Sequence, residues 1–145
     1  MKYLLDASAL LPLVTRRGKQ LIVEASRENL VTTDLAIYEA CNSLWKLATL
    51  LKTISLEDAV DVATTLKDLI MENVIQPINF AKLDFPHTFK RAYRERLTFY
   101  DASYITSAEG IEAILVTEDE KLWKTASKFV KTITYTDLES RLTQS

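Results

Sequence analysis

Four acidic residues, Asp6, Glu39, Asp101 and Asp119, stand at the ends of short apolar runs in a chain of 145 residues that has one histidine and one cysteine. Carboxylates without imidazole or thiol company suit hard cations such as Mg²⁺ and Mn²⁺, which take oxygen ligands and keep several waters. Such an ion can lower the pKa of a bound water, orient it at a phosphodiester and neutralise the charge that develops there. Ser8 and Thr117, each two residues from one of these acids, are suited to orient a carboxylate or a water. Every acid also has a plainer reading. Thr98-x-x-Asp101 and Thr117-x-x-Glu120 fit helix capping boxes, Asp119 suits a helix N-terminus, and Glu39 can be a partly buried acid paired with a lysine. Asp6, hard against an apolar strand, is the most difficult to explain as a cap.

The elements that would position these acids can be read in order. Lys2 to Leu5 is a compact apolar strand, and Ser8 can cap a short helix through Leu13. A basic turn at Arg16, Arg17 and Lys19 precedes a helix near Lys19 to Arg27, then a strand at Leu30 to Thr33 with Asp34 as the next N-cap. Ile37, Cys41, Leu44, Ala48 and Leu51 make a helical stripe over Leu35 to Leu51. Ser55 opens a helix through Met71, the two forming an antiparallel hairpin. Val74 to Gln76 reads as a strand closed by Pro77, and Phe85 to Arg96 as a helix with Pro86 in its first turn. Leu97 to Leu122 gives a helix from Thr98, a break at Glu109-Gly110, a doubly buried strand at Ile114 to Val116 and a second helix start. Thr132 to Tyr135 is a last strand before a short polar helix. Alternating strands and helices predict one α/β domain over residues 1–145, with a five-stranded, mostly parallel sheet covered on both faces. Right-handed crossovers bring the strand ends, and the four acids, to one edge.

Composition narrows the function further. A net charge of −2 gives no global reason to bind nucleic acid, so any such binding must come from local basic patches or a bound metal. One cysteine excludes a disulfide framework and a cysteine zinc site, and a reducing, cytoplasmic compartment is expected. No apolar run is long enough to span a membrane. No phosphate-binding glycine loop is present, which argues against nucleotide cofactors. His87, Lys90, Arg91 and Arg94 share a helix face and read first as solvated surface, with an RNA groove as the second reading. Cys41 reads as a core thiol.

In its motifs the chain resembles the PIN-domain nucleases, most closely the VapC-type toxins of prokaryotic toxin–antitoxin pairs. The matching pieces are LLDASALL around Asp6, YEACNSLWK around Glu39, YDASYITSA around Asp101, and Thr117-x-Asp119-x-x-Leu122. They run in family order over nearly the whole chain. The resemblance implies an α/β/α sandwich, with Asp6, Glu39, Asp101 and Asp119 as catalytic, metal-binding acids and Ser8, Thr117 and Asn42 in support. It also implies Mg²⁺- or Mn²⁺-dependent endoribonuclease activity on RNA, a homodimer and a cognate antitoxin. The dimer contact is expected on the helical hairpin near Tyr38 or Trp45, and Arg16, Arg17 and Lys19 are expected to hold RNA at the rim. Glu118 competes with Asp119 for the metal position.

Rival readings share the topology. A receiver-type signalling domain shows an acidic pair after its first strand, where this chain has one acid. A haloacid-dehalogenase-type phosphatase needs Asp-x-Asp, and Ser8 stands at the second Asp. A non-catalytic PIN-like module that binds RNA or a partner is the closer alternative.

Overall fold

The computed structural model describes residues 1–144. The chain begins with β1 (Lys2–Leu5), α1 (Ala7–Arg17), α2 (Leu21–Glu24) and β2 (Asn29–Thr33). Next come α3 (Asp34–Trp45), α4 (Leu56–Met71), β3 (Ile75–Ile78), α5 (Phe85–Glu95) and α6 (Phe99–Gly110). It closes with β4 (Ile114–Val116), α7 (Glu120–Ala126), β5 (Thr132–Ile133) and α8 (Tyr135–Thr143). The five strands make one sheet in the order β3-β2-β1-β4-β5, and every pairing is parallel. This is the predicted α/β/α architecture. On one side α1 packs with α3, α4 and α8, and α5 pairs with α6.

The central strands have no polar face. Tyr3, Leu4 and Leu5 on β1 and Leu115 and Val116 on β4 are all but inaccessible, as expected of parallel strands sandwiched between helices. From β1 the chain steps outward to β2 and β3, then returns to place β4 on the other flank of β1. The order therefore reverses between β1 and β4, and a crevice opens at their carboxyl ends, the usual place for a ligand in such a sheet.

Several boundaries differ from the sequence expectation, each for a local reason. Asp6, not Ser8, caps α1, because its carboxylate accepts from the Ala9 N–H at 3.0 Å. The helix then runs past Leu13 and through Pro12 to Arg17, and the expected helix over Lys19 to Arg27 shrinks to a 3₁₀ turn and α2. Thr33 rather than Asp34 caps α3; Asp34 instead accepts from the Leu35 and Phe80 N–H groups, tying α3 to the loop after β3. The α3 helix continues as a π-helical turn over Lys46–Leu50. Pro77 does not end β3 but lies within it, tolerated because β3 is an edge strand. Gly110 stays helical, and the left-handed residue after α6 is Glu112 at φ 55°. The last strand stops at Ile133 because Thr134 turns to cap α8.

The α5 charges are not one solvated face. Arg91 is buried: it donates to Thr106 Oγ1 and Glu109 Oε1, both at 2.9 Å, and its guanidinium lies 4.6 Å from the centre of the Phe129 ring. Its charge is spent on fastening α5 to α6. Cys41 is partly buried against the core, as a core thiol should be, and burial pushes its pKa up.

Candidate active site

Asp6 is the first residue after β1 and Thr117 the first after β4. The register aligns Leu5 with Val116, and the Asp6 N–H donates to the Val116 carbonyl, so the two side chains meet. Thr117 Oγ1 donates to Asp6 Oδ2, and Ser8 Oγ donates to Asp6 Oδ1 at 2.7 Å. The Glu118 and Asp119 N–H groups donate back to Ser8 Oγ and Thr117 Oγ1, at 2.8 and 3.1 Å. This cross-strand network pins a buried carboxylate and the turn that carries Asp119 to each other. Burial pushes the Asp6 pKa up to about 6, against the hydrogen bonds from Ser8, Thr117 and Ala9, with a further upward push from Asp119.

Asp119 lies at the N-terminus of α7, as its plainer reading expected, and caps it by accepting from the Leu122 N–H at 3.1 Å. The cap does not remove it from the site, because Asp119 lines the same groove as Asp6. Thr117-x-x-Glu120 forms no capping box, since Asp119 holds the N-cap position. For α6 the cap is Thr98, which accepts from the Asp101 N–H. Among the described residues, only Thr134 and Asp137 close both halves of a capping box. The Asp101 carboxylate lies in the groove, where burial and the charges of Asp119 and Glu39 raise its pKa and Lys121 opposes them.

Glu39 is on α3, and its Oε1 accepts from the Tyr104 hydroxyl. Burial and the bond to Glu39 push the Tyr104 pKa well up, so the phenol remains the donor. Tyr104 was missed by the sequence reading, although it lies three residues after Asp101 and so faces the same way on α6. Lys46, seven residues after Glu39 on the continuing helix, and Tyr100 also line the groove. Asn42 is exposed at its wall.

The four acids therefore share one open groove of about 510 Å³. Its donors are carboxylate and hydroxyl oxygens, the chemistry that suits a hard cation retaining much of its water. Among the described residues, no three His, Cys, Asp or Glu side chains converge into a ready-made metal cage. The acids instead interact through space, Asp119 with Asp6 and Asp101, and Asp101 with Glu39. Glu118 is turned away, its Oε1 accepting from the Tyr135 N–H at 2.7 Å, which leaves Asp119 as the acid of that turn facing the groove. Arg16, Arg17 and Lys19 do not line the groove. They pair with Glu139, Glu24 and Asp68.

The Asp6 environment has a pH signature. Between the unfolded carboxyl value of 3.8 and about 6, the folded chain binds more protons than the unfolded one, so stability falls as pH rises through that window. The loss is complete above about pH 6 and amounts to about 3 kcal/mol at most. Unfolding of wild type and Asp6→Asn in chelator from pH 4 to 7 should show the mutant gaining on wild type across this range. A gap independent of pH would contradict the assignment.

The PIN domain family model matches residues 3–128. Exonuclease VapC9 of Pyrobaculum aerophilum is 38% identical over 125 residues, 84% of each chain. Ribonuclease VapC3 of the same organism is 33% identical over 141 residues, covering 92% of this chain and 99% of the relative. The crystal structure of PAE2754 from Pyrobaculum aerophilum has a TM-score of 0.76 at 30% identity, over 100% of this chain and 91% of that one. The family match spans all four groove acids, and the chain belongs to the PIN-domain family, among its VapC-type members.

Proposed function

We propose that this protein is a metal-dependent endoribonuclease and the toxin of a type II toxin–antitoxin pair. The observation that carries the reading is the Asp6–Asp119–Asp101–Glu39 row along one open groove at the carboxyl edge of the sheet. Two relatives bear the VapC name, one called a ribonuclease and the other an exonuclease. The open groove favours cutting within a strand, since a chain can cross it without presenting an end.

Asp6, Asp101 and Asp119 would hold a Mg²⁺ or Mn²⁺ ion, with Glu39 beside them. Such an ion, when bound, lowers the pKa of a coordinated water and neutralises charge at the phosphodiester. The chain's own contribution is orientation and field. Ser8 and Thr117 hold both Asp6 oxygens in place, and Tyr104 fixes one oxygen of Glu39. Lys46 at the groove wall and Lys121 near Asp101 supply the cations for RNA phosphates, in place of the basic turn. The same acids offer an antitoxin a place for an Arg or Lys side chain. A cytoplasmic setting fits an RNA substrate, and among the described residues no helix is long and apolar enough to cross a membrane.

Purified protein incubated with circular single-stranded RNA in Mn²⁺ should linearise it and leave 5′-phosphate ends, and EDTA should stop the reaction. Cutting of linear RNA alone would make it an exonuclease. RNA binding with no cutting of either form would leave a non-catalytic module.

Asp101→Asn should abolish cleavage. Because burial and neighbouring charges disfavour its ionised form, removing that charge should also raise the melting temperature in EDTA. The further rise on adding Mn²⁺ should shrink. A mutant that melts lower in EDTA and responds fully to Mn²⁺ would remove Asp101 from the metal site.

We also propose a homodimer through the α3–α4 hairpin. Trp45 is 50% exposed there, and Leu50, Leu51, Leu56 and Val60 are exposed with it. Tyr38 belongs to the groove instead. Light scattering should give twice the chain mass, and Trp45→Glu should lower it. A monomeric wild type at micromolar concentration would refute the contact.

A further inference from the structure

Beside the acid groove lies a second, smaller pocket of about 160 Å³, and Leu35 and Tyr100 form walls of both. Phe80, Leu83, Phe85 and Phe99 are among its other walls, with Asp34, Asn79, Ser103 and Ser107 adding polar atoms. These are not loose surface residues. Phe85 and Phe89 pack their rings on Phe99, with centroids 5.4 and 5.8 Å away and tilts of 61° and 56°. Phe80 is held from its backbone, its N–H donating to Asp34 Oδ2 at 2.9 Å, and Asn79 Oδ1 accepts from the Ala81 N–H at 2.8 Å. Asn79 also lines the pocket, and among the described residues its amide nitrogen has no partner, so it can donate to an incoming carbonyl. Yet Phe80 is 67% exposed and Phe85 48%, so the fold holds an aromatic face open to solvent one step from the acids.

We propose that this pocket is a nucleobase subsite. It takes one unstacked base of the RNA whose phosphodiester lies in the acid groove, and so sets the sequence at which the strand is cut. The inference rests on the nuclease reading of that groove. Single-stranded RNA is recognised by splaying bases onto aromatic side chains and reading their edges, which calls for a fixed ring platform with a polar atom at its rim. The pocket has room for one planar base, not a whole nucleotide. Its surroundings favour a nucleic acid over an apolar peptide segment. On its far side, sharing Ile78, Leu83 and Ser107, a cavity of about 390 Å³ brings in Lys82. The acids there are occupied, Glu109 by Arg91 and His87 and Asp84 by capping α5. Among the described residues Lys82 forms no salt bridge. A strand leaving the acid groove would thus meet a ring platform and then a cation.

The test uses single-stranded RNAs that carry 2-aminopurine at successive positions around the cut, titrated with Asp101→Asn protein in Mn²⁺. Stacking in the pocket should quench the fluorescence at one position only. Phe80→Ala combined with Phe85→Ala should abolish that quench and weaken binding by about 5- to 140-fold, the usual loss for one base–aromatic stack. In the cleavage-competent background the same pair should flatten sequence preference at that position while cutting continues. Circular dichroism and melting curves would be used to check that the pair remains folded. Equal quenching at all positions, or no quench, overturns the subsite. Wild-type cleavage, measured separately, shows whether the nuclease reading falls with it. Pocket variants that keep the quench but change the mass by light scattering would make this face a contact between copies, and also overturn it.

Discussion

The parallel pairing of β1 with β4 is the interaction on which the rest of the structure depends. It sets Asp6 beside Thr117 at the one place where the strand order reverses, and it buries the carboxylate there. A buried carboxylate is costly unless it is hydrogen-bonded. Three donors, from Ser8, Thr117 and the Ala9 backbone, supply those bonds. The two hydroxyls then accept from the backbone of the turn that follows β4, so the same network fixes the position of Asp119. Hydrogen bonding that compensates one buried charge therefore aligns a second.

That alignment works against stability. Asp119 pushes on Asp6 and Asp101, and Glu39 pushes on Asp101, where burial already disfavours the ionised forms of Asp6 and Asp101. Like charges held together raise the energy of the ionised folded state. The fold tolerates this because the sheet behind the acids is packed throughout with apolar side chains, Leu4, Leu5, Leu115 and Val116 among them. Strain of this kind is what the proposed cation would relieve on binding.

The cations of the chain divide by environment. Arg91 is buried between α5 and α6, and Arg16, Arg17 and Lys19 are held in ion pairs with neighbouring helices. These positions are structural. Lys46, Lys82 and Lys121 are placed differently, the first in the groove, the last beside Asp101 and Lys82 beyond the aromatic pocket. In the reading proposed above, these three lysines would guide a polyanion locally in a chain whose net charge of −2 gives no global attraction.

The sequence by itself determined the order of the elements and the acids to watch. Apolar runs as short as Ile114–Val116 can only be strands, and alternation with amphipathic helices leaves a parallel sheet as the arrangement that covers them. Asp6, Glu39, Asp101 and Asp119 follow from that topology because a crossover carries each to the same edge. What the sequence could not decide was which side chain answers which. A Thr-x-x-acid pattern is the same string whether the acid caps a helix or faces a groove, and only tertiary structure sends Glu118 to α8 and Asp119 to the acids. Tyr104 meets Glu39 across 65 positions, and Arg91 leaves the surface because Thr106, Glu109 and Phe129 converge on it. Local pattern fixes periodicity. Partners distant in the chain are fixed by packing, where a buried charge must find the groups that satisfy it.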